Sequence, residues 1–140
     1  ADYFGQSYLW SNGVLAEYDI GNFDYNTIRP LQSNIDNLEK ISKYSNVNIY
    51  ILSICHNDRV VEEKYVWLDK YMKYIDQNKC IFISKDKTGN VESCDLKSNY
   101  LKNNSRECIN IVIDDDIKII KTLIKNNSNV KVFHVSSLIS

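Results

Sequence analysis

The run Ile109-Asn110-Ile111-Val112-Ile113-Asp114-Asp115-Asp116 carries an apolar, strand-compatible stretch directly into three carboxylates. In an open α/β sheet, ligands bind outside the carboxyl ends of the strands, which is where this pattern sets its charges. Adjacent carboxylates repel unless something positive lies between them, and a hard divalent cation with oxygen ligands is a common answer. Asp114 and Asp115 are therefore candidate Mg²⁺ ligands. A plainer use for Asp115 or Asp116 is to cap the helical pattern that follows, but capping needs one carboxylate and three are present. Two further groups occupy comparable places. Ser53 ends the apolar run Ile49 to Ser53, and Lys97 falls in the first turn of the helical segment before the acidic strand. A hydroxyl and an ammonium donate to phosphate oxygens, while carboxylates hold the cation that neutralises them. Singly, such a serine caps a strand end and such a lysine is solvated. The order hydroxyl, lysine, paired carboxylates at successive strand ends is more specific. His56, three residues after Ser53, is a candidate substrate contact; His134 lies in a strand pattern and reads as structural.

The elements that must position these groups follow from periodicity. Gln6–Trp10 and Val14–Tyr18 flank Ser11-Asn12-Gly13, an Asn-Gly signal for a β-hairpin. Residues 19–29 form a polar loop with aromatics, and Pro30 opens a helix with Leu31, Ile35, Leu38 and Ile41 on one face. Val47–Ile54 is a buried strand. Asn57 or Asp58 caps a long helix whose apolar face is Val61, Tyr65, Leu68 and Met72. A short strand, Cys80–Ser84, leads into a turn-rich excursion around Thr88-Gly89-Asn90. Asp95 caps a helix containing Lys97, Tyr100 and Leu101. After the acidic strand comes a helix with Ile117, Ile120, Leu123 and Ile124 inward, then a last strand, Val130–Val135. Strands alternating with helices predict an α/β domain with a parallel sheet covered on both faces. The aromatics Tyr3, Phe4, Tyr8, Trp10, Tyr18, Phe23 and Tyr25 either form a small local core or stack a nucleobase.

Composition bounds the function. The 140 residues suffice for one domain with a real core, and a net charge of −1 with interspersed signs gives no basic field for a nucleic-acid duplex. No stretch approaches a membrane span, and no signal peptide opens the chain. Cys55, Cys80, Cys94 and Cys108 match no zinc spacing. Three of the four lie in or beside apolar runs, so they read as reduced, buried thiols of a cytoplasmic protein.

In that order of residues the chain resembles the haloacid dehalogenase-like phosphohydrolases, and more closely their 5′(3′)-deoxyribonucleotidase-like branch. Ile49-Tyr50-Ile51-Leu52-Ser53 resembles the second motif of that family, whose Ser or Thr binds the phosphoryl group. Glu63-Lys64-Tyr65, with Trp67 and Tyr71, is similar to the Glu-Lys-Tyr-x-Trp stretch in the helix after it. Ile113-Asp114-Asp115 resembles the fourth motif, where the likeness implies Mg²⁺ ligation. The third-motif lysine has two candidates. Lys87 lies in Lys-Asp-Lys-Thr, similar to the nucleotidases' Arg-Asp-Lys-Thr; Lys97 has the general superfamily placement and is preferred. The likeness spans residues 30–135. It implies a three-layer sandwich with a mainly parallel, Rossmann-like sheet and a small hairpin-and-loop cap. Residues 1–140 form one domain, with 1–30 as flap hairpin and cap loop and 31–140 as the α/β core. The implied activity is Mg²⁺-dependent hydrolysis of a small phosphomonoester such as a 5′-nucleotide, with Ser53, His56 and Lys97 toward substrate and Asp114 and Asp115 on the metal.

The first motif of the family, Asp-x-Asp-x-[Thr/Val], which supplies nucleophile and general acid, has no counterpart in this sequence. Either Ala1-Asp2-Tyr3-Phe4 resembles the residues just after it, or Asn12-Gly13-Val14-Leu15-Ala16 is a degenerate copy with Trp10 and Asn12 replacing both aspartates. The hairpin signal favours the first register. The motif strand is central in this fold, so the expected sheet order is Val130–Val135, Ile109–Ile113, a missing strand, Val47–Ile54, Cys80–Ser84. Its loss leaves two open edges, which implies completion by an N-terminal segment or by another copy of the chain. Without the aspartate, covalent phosphoryl transfer has no attacking atom. The alternative expectation is an inactive binding domain that kept the fold.

Overall fold

The structure is a computed structural model and describes residues 26, 28–104 and 108–138. The expected flap hairpin over 6–19, and the aromatic cluster from Tyr3 to Tyr25, lie outside the described residues. The chain divides into two compact units, Ala1–Lys87 and Thr88–Ser140.

In the first unit, helix α1 (Gln32–Ser42) is followed by strand β1 (Ile51–Cys55), helix α2 (Asp58–Tyr71), a 3-10 turn (Gln77–Lys79) and strand β2 (Cys80–Ser84). Pro30 does not open α1; Leu31, with extended backbone, holds the N-cap position. Ile35 is the buried residue of that helix, and the expected face is cut back at its ends, where Leu31 and Ile41 are exposed. β1 begins later than the expected Val47, since 47–50 pair with no strand among the described residues. Asn57 caps α2 by accepting from the Val60 amide at 3.0 Å, which satisfies a donor the helix start would otherwise leave open. β1 and β2 are parallel, with Ser53 opposite Phe82. Around Ile35, Leu68, Met72, Ile75 and Cys80 a core forms, walled by aromatics whose polar tips find backbone carbonyls. Tyr65 donates to the Cys80 carbonyl at 3.2 Å, Tyr74 to that of Ile35 at 2.9 Å, and Trp67 to that of Ile28 at 2.8 Å. Each large ring is thus partly buried without orphaning its donor.

One-turn helix α3 (Lys85–Thr88) ends at Gly89, whose φ of 68° is the left-handed conformation that glycine adopts without strain. The second unit comprises α4 (Ser93–Asn104), β3 (Asn110–Asp114), α5 (Ile117–Asn126), β4 (Val130–His134) and a closing 3-10 turn (Val135–Leu138). Asp95 lies inside the first turn of α4 rather than capping it, because the helix starts two residues earlier. β3 and β4 are parallel, with Val112 opposite Val132. Those two valines pack toward the buried core of Cys94, Ile119 and Leu123. The alternate residues Ile111, Ile113 and Phe133 are exposed, as strand alternation requires. α5 is rotated from its expected phase. Ile119, Ile120 and Leu123 point inward, continued by buried Asn127, whose amide donates to Ser98 on α4 at 3.1 Å; Ile117 and Ile124 are outside.

The fold is mixed α/β, and among the described residues its strands form two two-stranded parallel sheets, β1–β2 and β3–β4. Those are the pairs expected at the two ends of the sheet order. Cys55, Cys80 and Cys94 are buried thiols, whereas Cys108 is exposed. No helix among the described residues is long and apolar enough to cross a membrane.

Candidate functional site

The acidic strand end lies in the second unit. Asp114 closes β3, and its carboxylate is held from two sides. Lys97, from the first turns of α4, donates to Oδ2 at 2.6 Å, and the Asp116 backbone N–H donates to Oδ1 at 3.0 Å. Both side chains are largely covered, with 8% of Asp114 and 15% of Lys97 exposed, so the charges meet in a poorly solvated setting. Burial pushes the Asp114 carboxyl up, but the Lys97 ammonium and the Asp116 amide outweigh it and hold it below the ordinary carboxylate range. Asp116 caps α5, its Oδ1 accepting from Lys118 N at 2.8 Å and Ile119 N at 3.4 Å. Asp115 is exposed, and its backbone carbonyl lies 3.1 Å from His134 Nε2, while His134 Nδ1 lies 2.5 Å from Ser136 Oγ. His134 thus ties β4 to the β3–α5 turn.

The three carboxylates therefore have three different surroundings, and the repulsion inferred from their adjacency is relieved from within. Lys97 supplies a positive charge, and two carboxylates accept backbone amides. Their chemistry nonetheless fits Mg²⁺, because Asp114 and Asp115 present hard oxygen donors at one strand end and a carboxylate oxygen has more than one lone pair to give. Elsewhere in this unit, Glu92, Cys94 and Asp95 bring one ligand atom each to within 4.8 Å of one another. Glu92 there pairs with Lys118 at 2.5 Å, and a soft thiol in the set suits a hard Mg²⁺ poorly.

Ser53 lies in the first unit, and its hydroxyl accepts from Lys64 Nζ at 2.8 Å. Ile51, Ser53 and Cys55 alternate onto one face of β1, and Lys64 reaches them from α2. Burial raises the Cys55 thiol, against an opposing pull from the Lys64 ammonium. His56, just past the end of β1, is exposed. Lys87, on the one-turn α3, is exposed as well. The structure thus brings Lys97 to Asp114, and gives Ser53 a cation that sequence reasoning assigned no role. The signal was available: with Val60, Trp67 and Leu68 turned toward the sheet, position 64 falls on the same stripe, and a lysine there is out of place among apolar residues.

Comparison with known proteins finds no matching family model, no similar curated protein and no similar solved structure. The functional reading rests on the residues themselves.

Proposed function

We propose that the protein is a Mg²⁺-dependent phosphohydrolase of haloacid dehalogenase type, acting on a small phosphomonoester such as a 5′-nucleotide. The observation that carries this reading is the close Lys97–Asp114 pair at the end of β3, with Asp115 beside it. The third- and fourth-motif residues of the resemblance are expected to meet in that way. The resemblance implies a Rossmann-like sheet within a three-layer sandwich, and each parallel pair by itself fits a part of such a sheet. The aspartate nucleophile of the first motif, which this sequence lacks, would then come from outside these 140 residues. Ser53 and Lys97 donate to the phosphoryl oxygens, His56 contacts the substrate, and Asp114 and Asp115 hold the metal. Bound Mg²⁺ supplies charge neutralisation as the phosphoryl oxygens gather negative charge. Lys97 has two tasks, fixing the Asp114 carboxylate and presenting its remaining protons to phosphate.

The metal half of the reading is tested by ¹³C NMR of the side-chain carboxylates during a Mg²⁺ titration. Asp114 and Asp115 should shift together and saturably, and Asp115→Asn should abolish the shift at both. Resonances that ignore Mg²⁺ would leave the metal assignment without support. A second reading, an inactive binding domain, draws on the degenerate register of Trp10 and Asn12. It predicts that the coding sequence upstream of Ala1 encodes no strand ending in Asp-x-Asp, whereas the hydrolase predicts that it does.

A further inference from the structure

Lys97 reaches Asp114 only if α4 presents one particular face to the rest of the second unit. The inward stripe of that helix is Cys94, Ser98 and Leu101, at the i, i+4, i+7 spacing of a single face. Cys94 and Leu101 pack with the core of Ile119 and Leu123. Apolar contact is non-directional, so one thiol and one leucine fix the roll of the helix weakly. Ser98 adds a directional contact. Its hydroxyl accepts from Asn127 Nδ2 at 3.1 Å, with 3% of Ser98 and 4% of Asn127 exposed. Asn127 is firmly placed at the end of α5. Its backbone N–H donates to the Leu123 carbonyl at 2.9 Å, and its carbonyl accepts from the amide of Val130, which opens β4, at 3.4 Å. Lys97, the residue before Ser98, lies about 100° round the helix from it and meets Asp114 Oδ2 at 2.6 Å.

A buried asparagine is a costly way to fill its place. Its Nδ2 also donates to the Leu123 carbonyl at 3.4 Å, but its Oδ1 has no donor among the described residues. A buried acceptor without a partner lowers stability, and a leucine of similar bulk would avoid that penalty. Buried polar residues kept at such a cost can fix the register of helices, as a single asparagine does in coiled coils.

We propose that Asn127 is a positioning residue, which through Ser98 sets the rotation of α4 and so holds Lys97 on Asp114. The inference deepens the phosphohydrolase reading and rests on it for the purpose of the pair, a lysine presented to phosphate from a fixed place. Asn127 itself touches neither substrate nor metal.

The test follows the ¹⁵N-labelled Lys97 ammonium by NMR, through the scalar coupling its hydrogen bond transmits to the Asp114 carboxylate carbon. That signal reports the folded state alone, so a stability change that leaves the protein folded does not alter it. The coupling should be present in the parent and lost in both Asn127→Leu and Ser98→Ala. Leu123→Val, which loosens the same core but leaves the Asn127–Ser98 bond in place, should retain it. Amine acylation resolved to single lysines gives a second reading. Lys97 should react more slowly than the exposed Lys102 in the parent and in Leu123→Val, and as fast as Lys102 in the two test variants. Should Asn127→Leu fail to fold, Ser98→Ala carries the test, since alanine favours the helix and removes only a hydroxyl. Coupling and acylation unchanged from the parent in Ser98→Ala would overturn the proposal, and so would equal loss in Leu123→Val. Catalysis plays no part in either measurement. A pair present in the parent and unmoved by the variants would defeat the positioning role alone. Loss of the coupling as expected, without any phosphate release by the parent, would defeat the hydrolase alone. A parent without the coupling would defeat the pair, and with it both readings.

Discussion

Replacing Lys97 by Met removes the cation from the Asp114 carboxylate while keeping an unbranched side chain of similar length. Removing one partner of a buried ion pair costs roughly 3–5 kcal/mol, because the survivor stays charged and poorly solvated. Two features reduce that figure. Asp114 keeps the Asp116 amide on Oδ1, and 8% of its side chain still meets solvent. A loss of roughly 2–3 kcal/mol follows, equivalent to an about 30- to 150-fold larger open population of the second unit. Hydrogen exchange resolved to the peptides of α4, β3 and α5 reads that unit by itself. The pH dependence gives a second signature. In the unaltered protein Asp114 has a folded pKa below its unfolded value, so its contribution is present above the unfolded pKa and is lost as pH falls through the folded one. In Lys97→Met, burial dominates and raises the folded pKa, so lowering the pH through that range should now stabilise the unit. Exchange rates equal to those of the parent, with the same pH slope, would refute the reasoning. Adding Asp114→Asn should recover most of the loss, since the pair would then be gone altogether.

Two other outcomes follow from the same unit. Leu123 is fully buried, so Leu123→Ala should cost about 3 kcal/mol in urea denaturation through the cavity it leaves. Ile124→Ala, one residue on and 59% exposed, should stay within about 0.5 kcal/mol of the parent. Asp116→Ala removes the cap of α5 and should cost about 1 kcal/mol, whereas Asp115→Ala, which caps nothing, should be nearly neutral in the same measurement.

Most of the element order was legible in the sequence because periodicity and caps act locally. Cys80–Ser84 is bounded as its apolar pattern implies, and Asn57 caps α2 with the side chain its type suggests. What local signals did not give was phase and extent. In α5 the isoleucines at 117, 119, 120 and 124 offer several apolar stripes, and tertiary packing against Cys94, Val112 and Val132 selected the one through Ile119 and Leu123. β1 stops short of Val47 because pairing with β2 begins only at Ile51. For the site, the acidic strand end was readable as a cluster, yet the division of labour within it was not. Which carboxylate caps, which is paired and which is exposed depends on where α4 delivers Lys97, a nonlocal fact. Ser53's cation was missed for a related reason. Lys64 reads as an ordinary charge on a long helix until its phase relative to Val60 and Leu68 is compared with the strand it covers.

The most direct measurement is phosphate release from a 5′-nucleotide by the full gene product containing these 140 residues, with and without Mg²⁺, alongside Asp114→Asn. The account predicts release that requires Mg²⁺ and falls by about 100-fold or more in the variant, as expected when a group that positions a catalytic metal is lost. Absence of release, or release indifferent to both Mg²⁺ and Asp114, would contradict it.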